Sequence, residues 1–119
     1  MKYDQEIMNK IHDHGYQMLC KFDDVCRKND IDYYLLYGTL LGAVRHHDFI
    51  PWDDDIDVCL TRENFERLLD HKEEFSPYFI HVPSEEDGFF WDYTARVMDD
   101  SVLLKKDSVE TEFYHHMNC

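Results

Sequence analysis

Ile7, Ile11, Met18, Phe22 and Val25, with Leu19 and Cys26 beside them, recur at the three- and four-residue spacing of one helix face. The pattern predicts a helix from Asp4 to Lys28. Gly15 weakens it midway without ending it, and Asn29-Asp30 punctuates the chain. Tyr33–Tyr37 is a short continuous apolar run and reads as a buried strand. A Gly38-Thr39 turn then leads into Leu40–Arg45, a short helix, and the polar and aromatic stretch from His46 to Trp52, holding Pro51, reads as a loop. Beyond it Ile56, Val58 and Leu60 alternate with Asp55, Asp57 and Cys59, the mark of a two-faced strand. Thr61 is placed to cap a helix that buries Phe65, Leu68 and Leu69. Phe79–Val82 is a candidate strand, and Trp91, Tyr93, Ala95 and Val97 alternate as another. Asp99-Asp100-Ser101 is expected to turn that strand into Val102-Leu103-Leu104. The order of elements is that of an α/β or α+β fold, a mixed sheet flanked by helices in one domain spanning residues 1–119.

The strand carrying Asp55 and Asp57 begins just after Pro51-Trp52-Asp53, so three aspartates stand at alternate positions. Carboxylates converging on one face repel unless a cation or protons neutralise them. Mg²⁺, or Mn²⁺, suits such a set, since it takes one or two carboxylates and fills its octahedron with water and phosphate oxygens. A calcium loop counted from Asp53 fails, with Val58 where Gly is needed and Asn64 where Glu is needed. A phosphatase nucleophile or a glycosyltransferase metal motif normally follows an apolar strand, and here Pro51-Trp52-Asp53-Asp54 precedes Asp55. A solvated acidic turn fits poorly with the flanking order of apolar strand, Gly-Thr and carboxylates entering a second strand. A nucleotidyltransferase-type site remains, in which Gly38 and Thr39 offer N–H groups and a hydroxyl to phosphate while the carboxylates hold metal.

Charge narrows the partners further. The 119 residues carry 26 acidic against 12 basic side chains, a formal charge of −14, with no basic stripe. Nucleic acid and anionic membrane surfaces are therefore not expected as partners. Four cysteines (Cys20, Cys26, Cys59, Cys119) form no CxxC pair and read as reduced thiols. There is no apolar signal region and no run of transmembrane length, so a cytoplasmic location is expected.

The stretch LLYGTLLGAVRHHDFIPWDDDIDVCL, Leu35 to Leu60, closely resembles the signature of the LicD family of phosphorylcholine transferases, which shares its core with the fukutin-related ribitol-phosphate transferases. YTARVMDDSVLL, Tyr93 to Leu104, agrees more loosely. The resemblance implies a nucleotidyltransferase-like fold that moves a phospho-alcohol, such as phosphocholine, from a CDP-activated donor to a sugar hydroxyl. The acceptor would be a surface glycan such as lipopolysaccharide or teichoic acid. It implies that Asp53, Asp55 and Asp57 are metal ligands, with Asp55 and Asp57 the core catalytic pair, and that Gly38 and Thr39 form the phosphate-contacting turn. Arg45 and His46 fall on the family's basic loop, where Arg45 could neutralise a phosphoryl oxygen, and Trp52 would stack on the base or shape the loop. Asp48 departs from the pattern, standing where a small residue is usual. Family members are also about twice as long, with a later aspartate strand and an acceptor-binding half. The fold is accordingly expected to be incomplete at its C-terminus and the isolated chain to be a poor enzyme. Two other functions stay open: nucleotidyl transfer onto a small-molecule phosphate, and a truncated domain that binds metal and nucleotide without turnover.

The remaining candidates read as structural. His12 and His14, two apart on a helix, face different ways and do not share a metal. His115-His116 reads as an exposed tail, Glu85-Glu86-Asp87 as a solvated turn, and Asp92, Arg96 and Asp99 as weak site candidates, with a salt bridge explaining Asp92 and Arg96 equally well. No spacing identifies an aromatic cage for choline.

Overall fold

The structure is a computed structural model describing residues 4–82, 95–106 and 109–118, with side chains described through Asp99 and at Ser101. Helix α1, Gln5–Lys28, opens on Asp4, whose carboxylate accepts the Ile7 N–H at 2.9 Å. Met8, Ile11, Gly15, Met18, Phe22, Val25 and Cys26 make its buried stripe. Met8 takes the place expected of Ile7, which is exposed, and Gly15 is buried on the stripe without ending the helix. The helix stops in a Schellman turn. Asp30 adopts φ 56°, Ile31 N–H reaches Cys26 C=O at 2.8 Å, and Asp30 N–H reaches Arg27 C=O at 3.4 Å. Arg67 then donates to the carbonyls of Asn29 and Asp30 at 2.6 and 2.8 Å, tying the third helix to this turn.

Strand β1, Tyr34–Leu35, pairs antiparallel with β2, Val58–Cys59, in the register Tyr34↔Cys59 and Leu35↔Val58. The apolar run at 33–37 is thus a short, half-exposed strand and not a buried one, Tyr34 being exposed. Helix α2 spans Tyr37–Arg45, so Gly38 and Thr39 belong to its first turn and form no separate turn. Ile56 and Val58 are buried, Asp57 and Cys59 half-buried and Asp55 exposed, which is the expected alternation. Helix α3, Arg62–Leu69, is capped by Thr61, whose hydroxyl accepts the Asn64 N–H, and it buries Leu68 fully.

A 3₁₀ turn, Lys72–Phe75, leads to a three-stranded antiparallel sheet of β3 (Phe79–His81), β4 (Arg96–Lys106) and β5 (Val109–Asn118), in that order. The expected turn at Asp99-Asp100-Ser101 is instead a register shift inside β4, where Asp99 opposes His115 and Leu103 opposes Tyr114. Asp99 Oδ1 accepts the Ser101 N–H and hydroxyl, which absorbs the extra residues without reversing the chain. His115 and His116, expected in a tail, lie in β5. Trp91, Tyr93, Asp92 and Glu85–Asp87 lie outside the described residues.

The mixture of helices and sheet is as expected, but among the described residues every pairing is antiparallel, where a mixed sheet was expected. Only two residues link β4 to β5, too few for a parallel crossover. The core joins α1, α3 and both sheets through Met18, Phe22, Val25, Ile56, Val58, Leu68, Phe75 and Val97. Phe22 sits edge-on to Tyr33, with ring centroids 4.9 Å apart. Among the described residues no helix is long and apolar enough to cross a membrane.

Candidate metal and phosphate site

The aspartates gather in the segment before β2, where backbone and side chain fold back on each other. Asp53 N–H reaches Ile50 C=O at 3.0 Å, and Asp53 Oδ1 accepts the Asp55 N–H at 3.2 Å. This local turn, of the kind aspartate makes through its own side chain, draws Asp53, Asp54 and Asp55 together, with one carboxylate oxygen from each within 4.8 Å of the others. Asp53 and Asp55 were expected ligands. Asp54 was not, because strict alternation places it on the opposite face, and the turn removes that alternation before β2 begins. Asp57 stands at the head of β2 and is not one of that group. Its N–H donates to Thr39 Oγ1 at 2.9 Å and its C=O accepts the Leu36 N–H at 3.0 Å.

Helix α2 thus meets the aspartate segment with its first turn. Thr39 is buried, its hydroxyl holding the Asp57 backbone. Gly38 leaves room for a carboxylate: a Cβ there would collide with Asp53 Oδ2. A negative group at a helix N-terminus is favoured by the unpaired N–H groups and the helix dipole. Tyr37, which starts the helix, has φ 49° and is 77% exposed, a left-handed backbone uncommon for a bulky side chain.

The basic residues lie at the other end of α2. Arg45 and His46 are exposed, and seven residues of helix put Arg45 roughly 10 Å along the axis from Gly38. The loop after α2 returns to the aspartates through Trp52, which is 66% exposed and edge-on to His46, with ring centroids 6.5 Å apart. Gly42 admits this loop, its Cα facing Asp48 C=O and Ile50 N–H so closely that a Cβ would lie 2.6 and 3.0 Å from their atoms.

His12, set aside on sequence as a metal ligand, contacts the site differently: Nε2 lies 2.6 Å from the Asp53 carbonyl oxygen, and the ring stacks on Phe49 at 4.7 Å and 14°. No sequence pattern announces a contact across 41 positions. His14 faces another way, with Nε2 2.9 Å from Asp99 Oδ2. Burial pushes the Asp99 carboxyl up, but the Ser101 hydrogen bonds and the His14 contact outweigh it and hold the group below its ordinary value. Asp99 is therefore engaged in joining α1 to β4.

Two adjoining cavities open between α1, α2 and the loop. One, of about 420 Å³, is walled by Leu35, Thr39, Ala43 and His47, and the other, of about 350 Å³, by Asn9, His12 and Asp13. Tyr16, Asp48 and Phe49 border both.

Residues 30–116 match the family described as LicD/FKTN/FKRP, nucleotidyltransferase domain. The lipopolysaccharide cholinephosphotransferase LicD of Haemophilus influenzae is 43% identical over 68 residues, covering 53% of this chain and 26% of that protein. The human ribitol 5-phosphate transferase FKRP is 36% identical over 62 residues, 52% of this chain and 12% of that protein. An uncharacterised Rickettsia typhi protein is 42% identical over 57 residues, 45% of this chain and 18% of its own length. The matched part thus spans about a quarter or less of these relatives. No solved structure matches the chain. With the family pattern running from the end of α1 into β5 and enclosing the whole aspartate segment, the chain belongs to the LicD/FKTN/FKRP nucleotidyltransferase-domain family.

Proposed function

We propose that the chain is the donor-binding part of a metal-dependent phosphotransferase that moves a phospho-alcohol from a CDP-activated donor onto a sugar hydroxyl of a surface glycan. The observation that carries this reading is the convergence of the Asp53, Asp54 and Asp55 carboxylates beside the first turn of α2. A set of three hard oxygen donors suits Mg²⁺ or Mn²⁺ and not a soft metal. Asp53, Asp54 and Asp55 would hold the ion, with Asp57 the further carboxylate at the head of β2. Such an ion, when bound, neutralises developing phosphoryl charge and orients the phosphates for in-line displacement.

The acceptor hydroxyl oxygen would form the new bond to the phosphorus bearing the alcohol. The bond from that phosphorus to the bridging oxygen would break, with CMP leaving on that oxygen with the electron pair, and the hydroxyl proton would pass to water. The first-turn N–H groups at Gly38 and Thr39 suit phosphate oxygens. Arg45, exposed at the far end of α2, is a further cation for the donor phosphates, and Trp52 offers an exposed ring to the base. Tyr16 and Phe49 beside the carboxylates of Asp13 and Asp48 suit a cationic alcohol such as choline better than a neutral polyol. Asp48, a departure from the family pattern, thereby acquires a use. The relatives named for choline and for ribitol phosphate transfer support the phospho-alcohol class.

The test is CMP release from CDP-choline with Mg²⁺ and a lipopolysaccharide acceptor, measured with the chain carried in a protein of its relatives' length. Turnover by the wild type that falls ~10²-fold or more in Asp53→Asn and Asp55→Asn is the expected result, the scale for losing charge stabilisation in the transition state. Transfer of the CMP moiety itself, with no free CMP, would replace this reading by nucleotidyl transfer. Unchanged turnover in both variants would remove the aspartates from the reaction.

A further inference from the structure

His12 has no part in the chemistry proposed above, yet among the described residues it is the α1 side chain that hydrogen-bonds the aspartate segment. A carbonyl oxygen only accepts, so at 2.6 Å from Asp53 C=O the His12 Nε2 must carry a proton and donate. The parallel stack on Phe49 fixes the ring plane, and with it the direction of that N–H. The ring also rides on a rigid post, since its neighbour Ile11 is buried in the α1 stripe.

Asp53 is thus held at three points: N–H by Ile50, C=O by His12, and Oδ1 by the Asp55 N–H. Two of these bonds come from within the segment and can rotate with it. The His12 bond comes from an element 41 residues away and ties the segment to the core. We propose that His12 is a positioning residue. It acts through the Asp53 peptide, locking the turn in which the three carboxylates converge, and touches neither ion nor phosphate. The inference rests on the metal-dependent reading for its consequence in binding, though not for the restraint itself.

Two variants separate the donor from the ring. His12→Phe keeps an aromatic on Phe49 and loses the donor, and His12→Gln places an amide N–H near the position of Nε2. Mn²⁺ affinity of the 119-residue chain, by electron paramagnetic resonance, is read beside hydrogen exchange at the Asp55 and Asp57 amides and the urea midpoint. The expected result for His12→Phe is Mn²⁺ affinity roughly two- to tenfold weaker, the range for one neutral hydrogen bond, with faster exchange at both amides. His12→Gln should stay near wild type. Unchanged exchange and affinity in His12→Phe would overturn the proposal, as would equal losses in both variants, since the donor would then not be the means. A lowered urea midpoint in His12→Phe with unaltered Mn²⁺ affinity would assign His12 to stability alone and also overturn it. If wild type binds no Mn²⁺, the metal reading fails by itself, and the exchange comparison still decides whether His12 holds the segment.

Discussion

Gly38→Ala separates the site from the fold. Gly38 lies in the first turn of α2 with an ordinary negative φ, so alanine fits the backbone and gains about 0.5–1 kcal/mol of helix preference. The new methyl meets Asp53 Oδ2, the far end of a side chain that can swing. To reach ordinary van der Waals contact that oxygen must retreat by about 1 Å, at a rotamer cost of about 0.5–1.5 kcal/mol. The two contributions nearly cancel, so urea unfolding should place the variant within about 1 kcal/mol of wild type. The carboxylate, however, is now out of place, and a misplacement of about 1 Å can cost ~10²-fold in rate. CMP release and Mn²⁺ titration on the same preparation should therefore fall while stability holds. Gly42→Ala is the contrast. Its Cβ would meet the Asp48 carbonyl oxygen at 2.6 Å and the Ile50 nitrogen at 3.0 Å, both backbone atoms with no freedom to swing. A stability loss of roughly 1–3 kcal/mol is expected there. Full turnover and unchanged Mn²⁺ affinity in Gly38→Ala would refute the placement of Asp53 beside α2. A loss above about 2 kcal/mol would show that the backbone, and not the carboxylate, needs glycine.

Two further predictions concern titration. The Asp99 carboxyl is held below its ordinary value in the folded chain, so the stability it contributes is present above that ordinary value and is lost as pH falls through the folded one. The difference in urea midpoint between wild type and Asp99→Asn should shrink as pH is lowered from about 5 to 2; a constant difference would refute the role. Burial, with Asp23 nearby, pushes the buried Cys26 thiol up to about 12, while Cys20 is exposed. Its share of stability is then present below the ordinary thiol range and lost as pH rises through the folded value. At pH ~8 a disulfide reagent should label Cys20 promptly and Cys26 only at the rate of unfolding; equal labelling of the two would contradict that burial.

What the linear pattern determined was local. The α1 stripe, the Thr61 cap and the alternation of Ile56, Val58 and Leu60 with Asp55, Asp57 and Cys59 follow from period and propensity, which act over a few residues. So does the presence of a carboxylate cluster, since Asp53, Asp54 and Asp55 are neighbours in the chain. Only the resemblance to the family, and no local pattern, marks Asp48 as a departure. None of this specified which carboxylates converge.

The tertiary structure decided that, because a strand's alternation holds only where a partner strand enforces it. β1 pairs with β2 at Val58–Cys59 alone, leaving residues 53–55 to a turn set by Asp53's own side chain. It also turned the expected chain reversal at Asp99 into a bulge, because Ser101 and His14 satisfy a carboxylate that the strand buries. The contacts of His12 with Asp53 and of Thr39 with Asp57 span 41 and 18 residues. Such bonds depend on how α1 and α2 pack across the loop, and no periodicity in a single chain records which distant backbone group a side chain will meet.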